Sequence, residues 1–142
     1  MRKTLVLSLL LAPWAWAQDP CAAPAVATAV AQARTLLDQR KYAEAQAPAR
    51  QALAMCPTHA DANWALGKAL VASSQNDAAI AEMSAALVKK ADLPAPYLWR
   101  GYAYYNKKQP DKMVGDFETF LRLAPSAPEA AAVRQLLAGI KR

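Results

Sequence analysis

One histidine, two cysteines and four glycines in 142 residues are scarcities that close off most of the chemistry a chain of this size could carry. A metal centre built from imidazoles has a single candidate, His59. It lies in the turn-like stretch "CPTHADA" and reads as a solvated surface group rather than a ligand or general base. Nucleophilic catalysis has no histidine to activate Ser73, Ser74, Ser84 or Ser126, whose places read as ordinary helix or cap positions. No glycine-rich loop is present to cradle a phosphate. The expectation is a protein that is not an enzyme and holds no cofactor and no metal.

Charge is sparse as well. Asp, Glu, Lys and Arg make up 20% of the chain, with a formal net charge of +6. The basic residues are scattered, with short pairs at Lys89-Lys90, Lys107-Lys108 and Lys141-Arg142. No stripe follows a phosphate backbone, so a nucleic-acid partner is not expected and the charges read as a solvated surface.

A long apolar run is missing too. The longest, "TLVLSLLLAPWAWA" from Thr4 to Ala17, is broken by Pro13 and falls short of the roughly 20 residues a spanning helix needs. Arg2 and Lys3 precede it and Ala15-Trp16-Ala17 closes it, the pattern of a cleavable signal peptide over residues 1–17. Its loss would remove two positive charges and lower the formal net charge from +6 to +4. Cys21 follows Pro20 rather than a small residue, which argues against a lipid-modified terminus. The expected location is periplasmic or secreted, in a bacterial envelope, with membrane contact only through an uncleaved signal segment.

What is abundant is alanine, which dominates a hydrophobic share of 55% and favours closely packed helices in one modest domain. A glycine stands inside the otherwise helix-favouring "NWALGKAL" at Gly67, where it costs about 0.5–1 kcal/mol relative to alanine. It recurs 34 residues later at Gly101, and Ala33 holds the place 34 residues earlier. Leu36, Leu70 and Tyr104 form a second column at the same period, Ala45, Ala79 and Met113 a third, and Ala52, Ala86 and Phe120 a fourth. Pro57 and Pro125 stand two periods apart with Ala91 between them.

Within each period apolar residues recur at three and four positions, so each unit reads as two helices. "DQRKY", "SSQND" and "KKQP" divide first helix from second. Asn76 is placed to cap the second helix of its unit, and Pro110 suits a first helical turn, where its missing N–H goes unused. Pro48, well inside the second helix of the first unit, is expected to kink or shorten it.

These columns resemble the tetratricopeptide repeat family over about residues 26–125, carried by Ala33, Gly67 and Gly101, Leu66, Leu36, Leu70 and Tyr104, Ala45 and Ala79, and the prolines between units. Gln32-Ala33, Ala91 and Met113 depart from the family pattern. The resemblance implies an all-α, right-handed α-solenoid of three helix-turn-helix repeats, at approximately 26–59, 60–93 and 94–127, after an amino-terminal segment at 18–25. Residues 126–142, "SAPEAAAVRQLLAGIKR", then read as a capping helix and tail, with Ser126 and Glu129 as a capping box. In such a hairpin the small residue lets the paired helices approach closely.

On the same model Cys21 precedes the first helix and Cys56 follows the second, which puts both at one end of the hairpin. Export would favour a disulfide between them, and two unpaired thiols are the alternative.

In the family, the first helices line a concave groove that takes an extended peptide or a partner helix. The corresponding phase here gives Val30, Arg34 and Leu37, then Trp64, Lys68 and Val71, then Leu98, Tyr102 and Tyr105. Arg34, Leu37, Trp64, Lys68, Leu98, Tyr102 and Tyr105 are the candidate partner-binding residues, because aromatics and arginine are enriched where binding energy concentrates. Packing as core is the competing reading for any one aromatic. The family's carboxylate clamp is not matched, since its places hold Val30, Arg34, Ala65, Ala95 and Trp99. The expected role is non-catalytic protein binding, as an exported adaptor or assembly factor. Alternatives are a binder of cell-wall glycan or an acidic polymer, and a self-associating structural module.

Overall fold

The computed structural model describes residues 19–140, so the expected signal segment at 1–17 and the last two residues lie outside the described part. After a short 3-10 turn at Pro20–Ala22 come seven helices: α1 (Pro24–Asp38), α2 (Tyr42–Met55), α3 (Ala60–Ala72), α4 (Asn76–Lys89), α5 (Pro94–Asn106), α6 (Pro110–Leu123) and α7 (Ala130–Ile140). They form three hairpins and a last single helix. Helices α1, α3 and α5 touch in series as an inner row, while α2 and α4 each bridge two members of it. Among the described residues there is no strand, and no helix is long and apolar enough to cross a membrane.

The turn inside each hairpin is the same device used three times. Arg40, Ser74 and Lys108 have φ of 59°, 60° and 57°, the left-handed region, and stand at the 34-residue period of the sequence. Around each of them the two carbonyls left over at the helix end are taken up by amides beyond it. Arg40 N–H donates to Leu37 and Lys41 N–H to Leu36; Ser74 and Gln75 repeat this on Val71 and Leu70, and Lys108 and Gln109 on Tyr105 and Tyr104.

The turn between the first and second hairpins is fixed differently. Asn63, fully buried on α3, donates its side-chain amide to the carbonyls of Pro57 at 3.1 Å and His59 at 3.0 Å. His59 is more than a solvated group: its Nδ1 accepts the Ala62 N–H at 3.3 Å and caps α3.

Three local expectations change. Pro48 does not shorten α2, which runs 14 residues like α4 and α6. The proline is buried, and packing offsets the hydrogen bond it removes. Asn76 does not cap α4; its side-chain oxygen accepts from Asn106 at 3.0 Å instead and joins the start of α4 to the end of α5. The capping box of α7 is also absent. Glu129 stands directly ahead of the first helical residue and its carboxylate accepts from Trp64, while the chain descends through two turns, Ala127 N–H to Ala124 and Ala130 N–H to Ala127, so the helix starts only at Ala130.

Gly101 behaves as the hairpin argument expects: a Cβ there would lie 2.5 Å from the ring of Phe117 on the paired helix α6. Gly67 has a different neighbour. A Cβ on it would lie 2.5 Å from Trp99 Cδ1 and 2.6 Å from Trp99 Cβ, so it makes room for the next inner helix, α5.

The main core runs through all three hairpins to Val133 and Leu137 of α7. A separate small core of Val26, Ala29, Val30, Ala52, Cys56 and Ala62 closes the amino-terminal end. There Cys21 and Cys56 form a disulfide, with their Cα atoms 4.9 Å apart. It closes a loop of 35 residues, worth about 4 kcal/mol in the chain-entropy model.

A polar network that no sequence pattern marked ties the third hairpin together. Arg100 on α5 grips Asp116 on α6 through two hydrogen bonds of 2.7 Å and donates a third, of 3.0 Å, to Ser84 on α4. Its guanidinium also lies 5.7 Å from the ring centre of Tyr97. The Asp116 bond raises the pKa of Arg100 above its already high ordinary value, against the opposite pull of burial.

Candidate binding groove

The inner row decides which candidate side chains can meet a partner. Leu37 and Leu98, expected in the groove, are 4% and 1% exposed and belong to the main core. The two rows of helices lie close enough for both to pack in the core with side chains of the inner and outer helices. Val30 is likewise buried, in the small amino-terminal core. The groove surface therefore excludes all three.

Arg34, Trp64, Lys68 and Tyr102 stay at least partly accessible on the inner row, as does Tyr105 at the far end of α5. Arg34 is exposed on α1 and reaches toward Asp61 on α3 at 3.8 Å, a contact between solvated charges that contributes little stability. Trp64 and Lys68 are half-buried on α3, with the Lys68 ammonium 4.8 Å from the centre of the Trp64 ring. Tyr102 is half-buried on α5.

The aromatics form one continuous run. Trp64 meets Trp99 edge-on at 5.8 Å, Trp99 meets Tyr102 at 5.5 Å, and Tyr102 meets Phe117 edge-on at 5.1 Å. Trp99 links Trp64 to Tyr102 from within the main core, although sequence reasoning placed it only against a clamp it does not form. Its indole N–H is buried with no hydrogen-bond partner among the described residues. Each ring packs inward on the next, while Trp64 and Tyr102 also keep a partly exposed surface.

The polar handle of Trp64 is already engaged. Its indole N–H donates to Glu129 at 3.0 Å, so the segment ahead of α7 lies against the inner row. Burial, with a smaller part from the Glu129 charge, pushes the Tyr102 phenol above its usual pKa. A ligand here would meet ring faces and cations rather than a free indole donor.

Tyr105 does not join this group. It is 49% exposed and lines a hollow with Ile140 and the start of α6. Among the described residues, no cluster of three or more His, Cys, Asp and Glu is arranged to hold a metal ion.

No family model matches the chain, and no curated protein resembles it in sequence. Solved structures do resemble it in shape. The Yersinia enterocolitica type III secretion translocator chaperone SycD matches with a TM-score of 0.74 at 16% identity, over 87% of this chain and 96% of the chaperone. The TPR domain of Arabidopsis OM64 matches with a TM-score of 0.69 at 16% identity, over 81% and 95%. The first TPR domain of human RPAP3 matches with a TM-score of 0.68 at 18% identity, over 85% and 96%. The fold is therefore a tetratricopeptide-repeat-like, all-α solenoid.

Proposed function

We propose that this chain is a non-catalytic protein-binding module that takes an extended peptide or a partner helix along its inner row. The observation that carries the reading is the aromatic run Trp64–Trp99–Tyr102 with Lys68 over one of its rings and Arg34 one helix away. Large flat rings supply contact area at little entropic cost, and the flanking cations orient an acidic or carbonyl-rich strand. Two proteins of the same fold have been solved with peptides: SycD with a peptide of the translocator YopD, and the first TPR of Spaghetti (RPAP3) with the HSP90 peptide SRMEEVD. The leader-like residues 1–17 support an exported adaptor or assembly factor working in a bacterial periplasm or outside the cell.

The test is site-specific photo-crosslinking in the native envelope. A photoreactive side chain at Arg34 or Lys68 should trap the same protein, and one at Val88, 88% exposed on α4, should not. Lys68→Glu should then weaken binding of that protein's contacting peptide about tenfold, the loss of a cation at a hot spot. Equal trapping from Val88 would remove the inner row as the site. Crosslinks to glycan, or to a second copy of this chain, would replace the proposal with a wall-binding or self-associating role.

A further inference from the structure

Helix α7 follows α6 as α3 follows α2 and α5 follows α4, yet it does not take the place those helices take. Helices α3 and α5 each pack on the outer helix before them and also on the preceding inner helix. The close backbone contact of α7 is with α6, and it makes none comparable with α5, so it does not extend the inner row. Its leading end goes elsewhere. Glu129 bonds the Trp64 indole on α3 at 3.0 Å, skipping a member of the row, and its charge is also felt by the Tyr102 phenol on α5. At the far end Ile140 stands beside Tyr105. The helix and its lead-in thus lie against the stretch of the inner row from Trp64 to Tyr105.

The bonds that hold this segment are mostly its own. Arg134 donates to the Pro125 carbonyl at 2.7 Å, and the turns at Ala124–Ala127 and Ala127–Ala130 tie the lead-in to the helix, so the piece moves as a unit. Glu129 to Trp64 is the bond that crosses to the second hairpin. Three buried side chains, Ala130, Val133 and Leu137, dock α7 on the main core, where α5 docks with six. Ala124, which ends α6, is placed to be the hinge, since such motions turn on residues at the ends of elements. The closed arrangement also leaves one donor unsatisfied. Trp99, between Trp64 and Tyr102 in the aromatic run, is 9% exposed and its indole N–H has no acceptor among the described residues, a standing cost of this state.

We propose that residues 125–140 form a displaceable lid over the inner row, with Glu129 as its latch, and that a partner entering the groove must first displace it. What the lid guards rests on the groove reading above; its opening is a property of this chain alone. Closed, it engages the Trp64 donor and stands over the Tyr102 side of the row. Open, it frees both. A groove open about a hundredth of the time binds its partner about a hundredfold more weakly than one held open, so the latch sets the apparent affinity.

Two measurements on the full, disulfide-bonded chain test this without a partner. In native-state hydrogen exchange followed by NMR, the α7 amides should exchange through one shared opening, about a hundredfold more populated than the opening that exposes α5 and α6. In Val133→Asp, whose charge keeps α7 off the core, the Trp64 indole N–H resonance should leave its wild-type position while the α5 amides hold theirs. A synthetic peptide of residues 126–140 should then restore that resonance saturably, and the same peptide with Glu129→Ala should bind at least about tenfold more weakly. Exchange of α7 only together with α5 and α6, loss of the third hairpin in Val133→Asp, or a Trp64 resonance that the peptide does not restore would each overturn the lid. None of these readouts involves a groove ligand, and the crosslinks from Arg34 and Lys68 do not depend on α7, so the two readings fail separately.

Discussion

The indole nitrogen of Trp64 and the carboxylate of Glu129, 65 residues apart in sequence, are joined by a 3.0 Å hydrogen bond. The bond pins the turn ahead of α7 to α3 and leaves only the ring of Trp64 for a partner. Removing the acceptor should loosen α7 as well as the tryptophan. Glu129→Ala is expected to lower stability by about 1.5–3 kcal/mol, the range for a bond to a charged group, and Glu129→Gln by less because an acceptor oxygen remains. Urea unfolding followed by tryptophan fluorescence measures both; identical midpoints for all three proteins would show that the bond contributes nothing.

Tyr102 makes the same region sensitive to alkali. Burial, and secondarily Glu129, hold its pKa above the ordinary value, so the folded chain keeps this proton more tightly than the unfolded chain does. The resulting stabilisation is complete below about pH 10, the ordinary tyrosine value, and disappears as pH rises through the folded-state value. Tyr102→Phe should therefore show a shallower loss of stability than wild type between about pH 8 and pH 11. Parallel curves for the two proteins would contradict this.

The four glycines separate into two kinds. Gly67→Ala places a Cβ 2.6 Å from the Cβ of Trp99, an atom that cannot swing away, and is expected to cost about 2–3 kcal/mol through overpacking. Gly115 has nothing within 4 Å of such an atom, and Gly115→Ala should stabilise α6 by about 0.5–1 kcal/mol through helix propensity alone. Thermal melts of the two variants moving in the same direction would refute the distinction.

The hairpin turns hold a reserve of stability. Ser74 sits at φ 60°, where a side chain costs about 1–2 kcal/mol that glycine does not pay. After allowing for the freer unfolded chain, Ser74→Gly should gain about 0.5–1 kcal/mol, and Ser74→Val should lose at least as much. Denaturation midpoints in the order Gly, Ser, Val are expected, and a reversed order would exclude strain at this turn.

The repeat was legible because its period acts on small residues: Ala33, Gly67 and Gly101 can be counted without knowing what packs on them. What packs on them was not legible, since Trp99 and Phe117 fill similar spaces from different directions. The groove was read in part. Helical phase alone placed Leu37 and Leu98 on the surface, and only the spacing of the inner and outer rows shows them to be core. Trp64–Glu129 and Arg100–Asp116 join residues 65 and 16 positions apart with no periodic signature, so they emerge only from the assembled fold. The turn at Lys108 carried a signal in its 34-residue spacing from Arg40 and Ser74, although none of the three is the glycine that would announce it.

The disulfide at Cys21–Cys56 gives the molecule a direction. In a stack where each hairpin leans chiefly on its neighbours, opening begins at the ends, and the two ends here are unequal. One is a covalent ring around the first hairpin with its own small core; the other is an eleven-residue helix held by Glu129, by an Arg134 contact to the Pro125 carbonyl and by a few apolar side chains. Fraying therefore travels one way, from α7 back toward the sealed end.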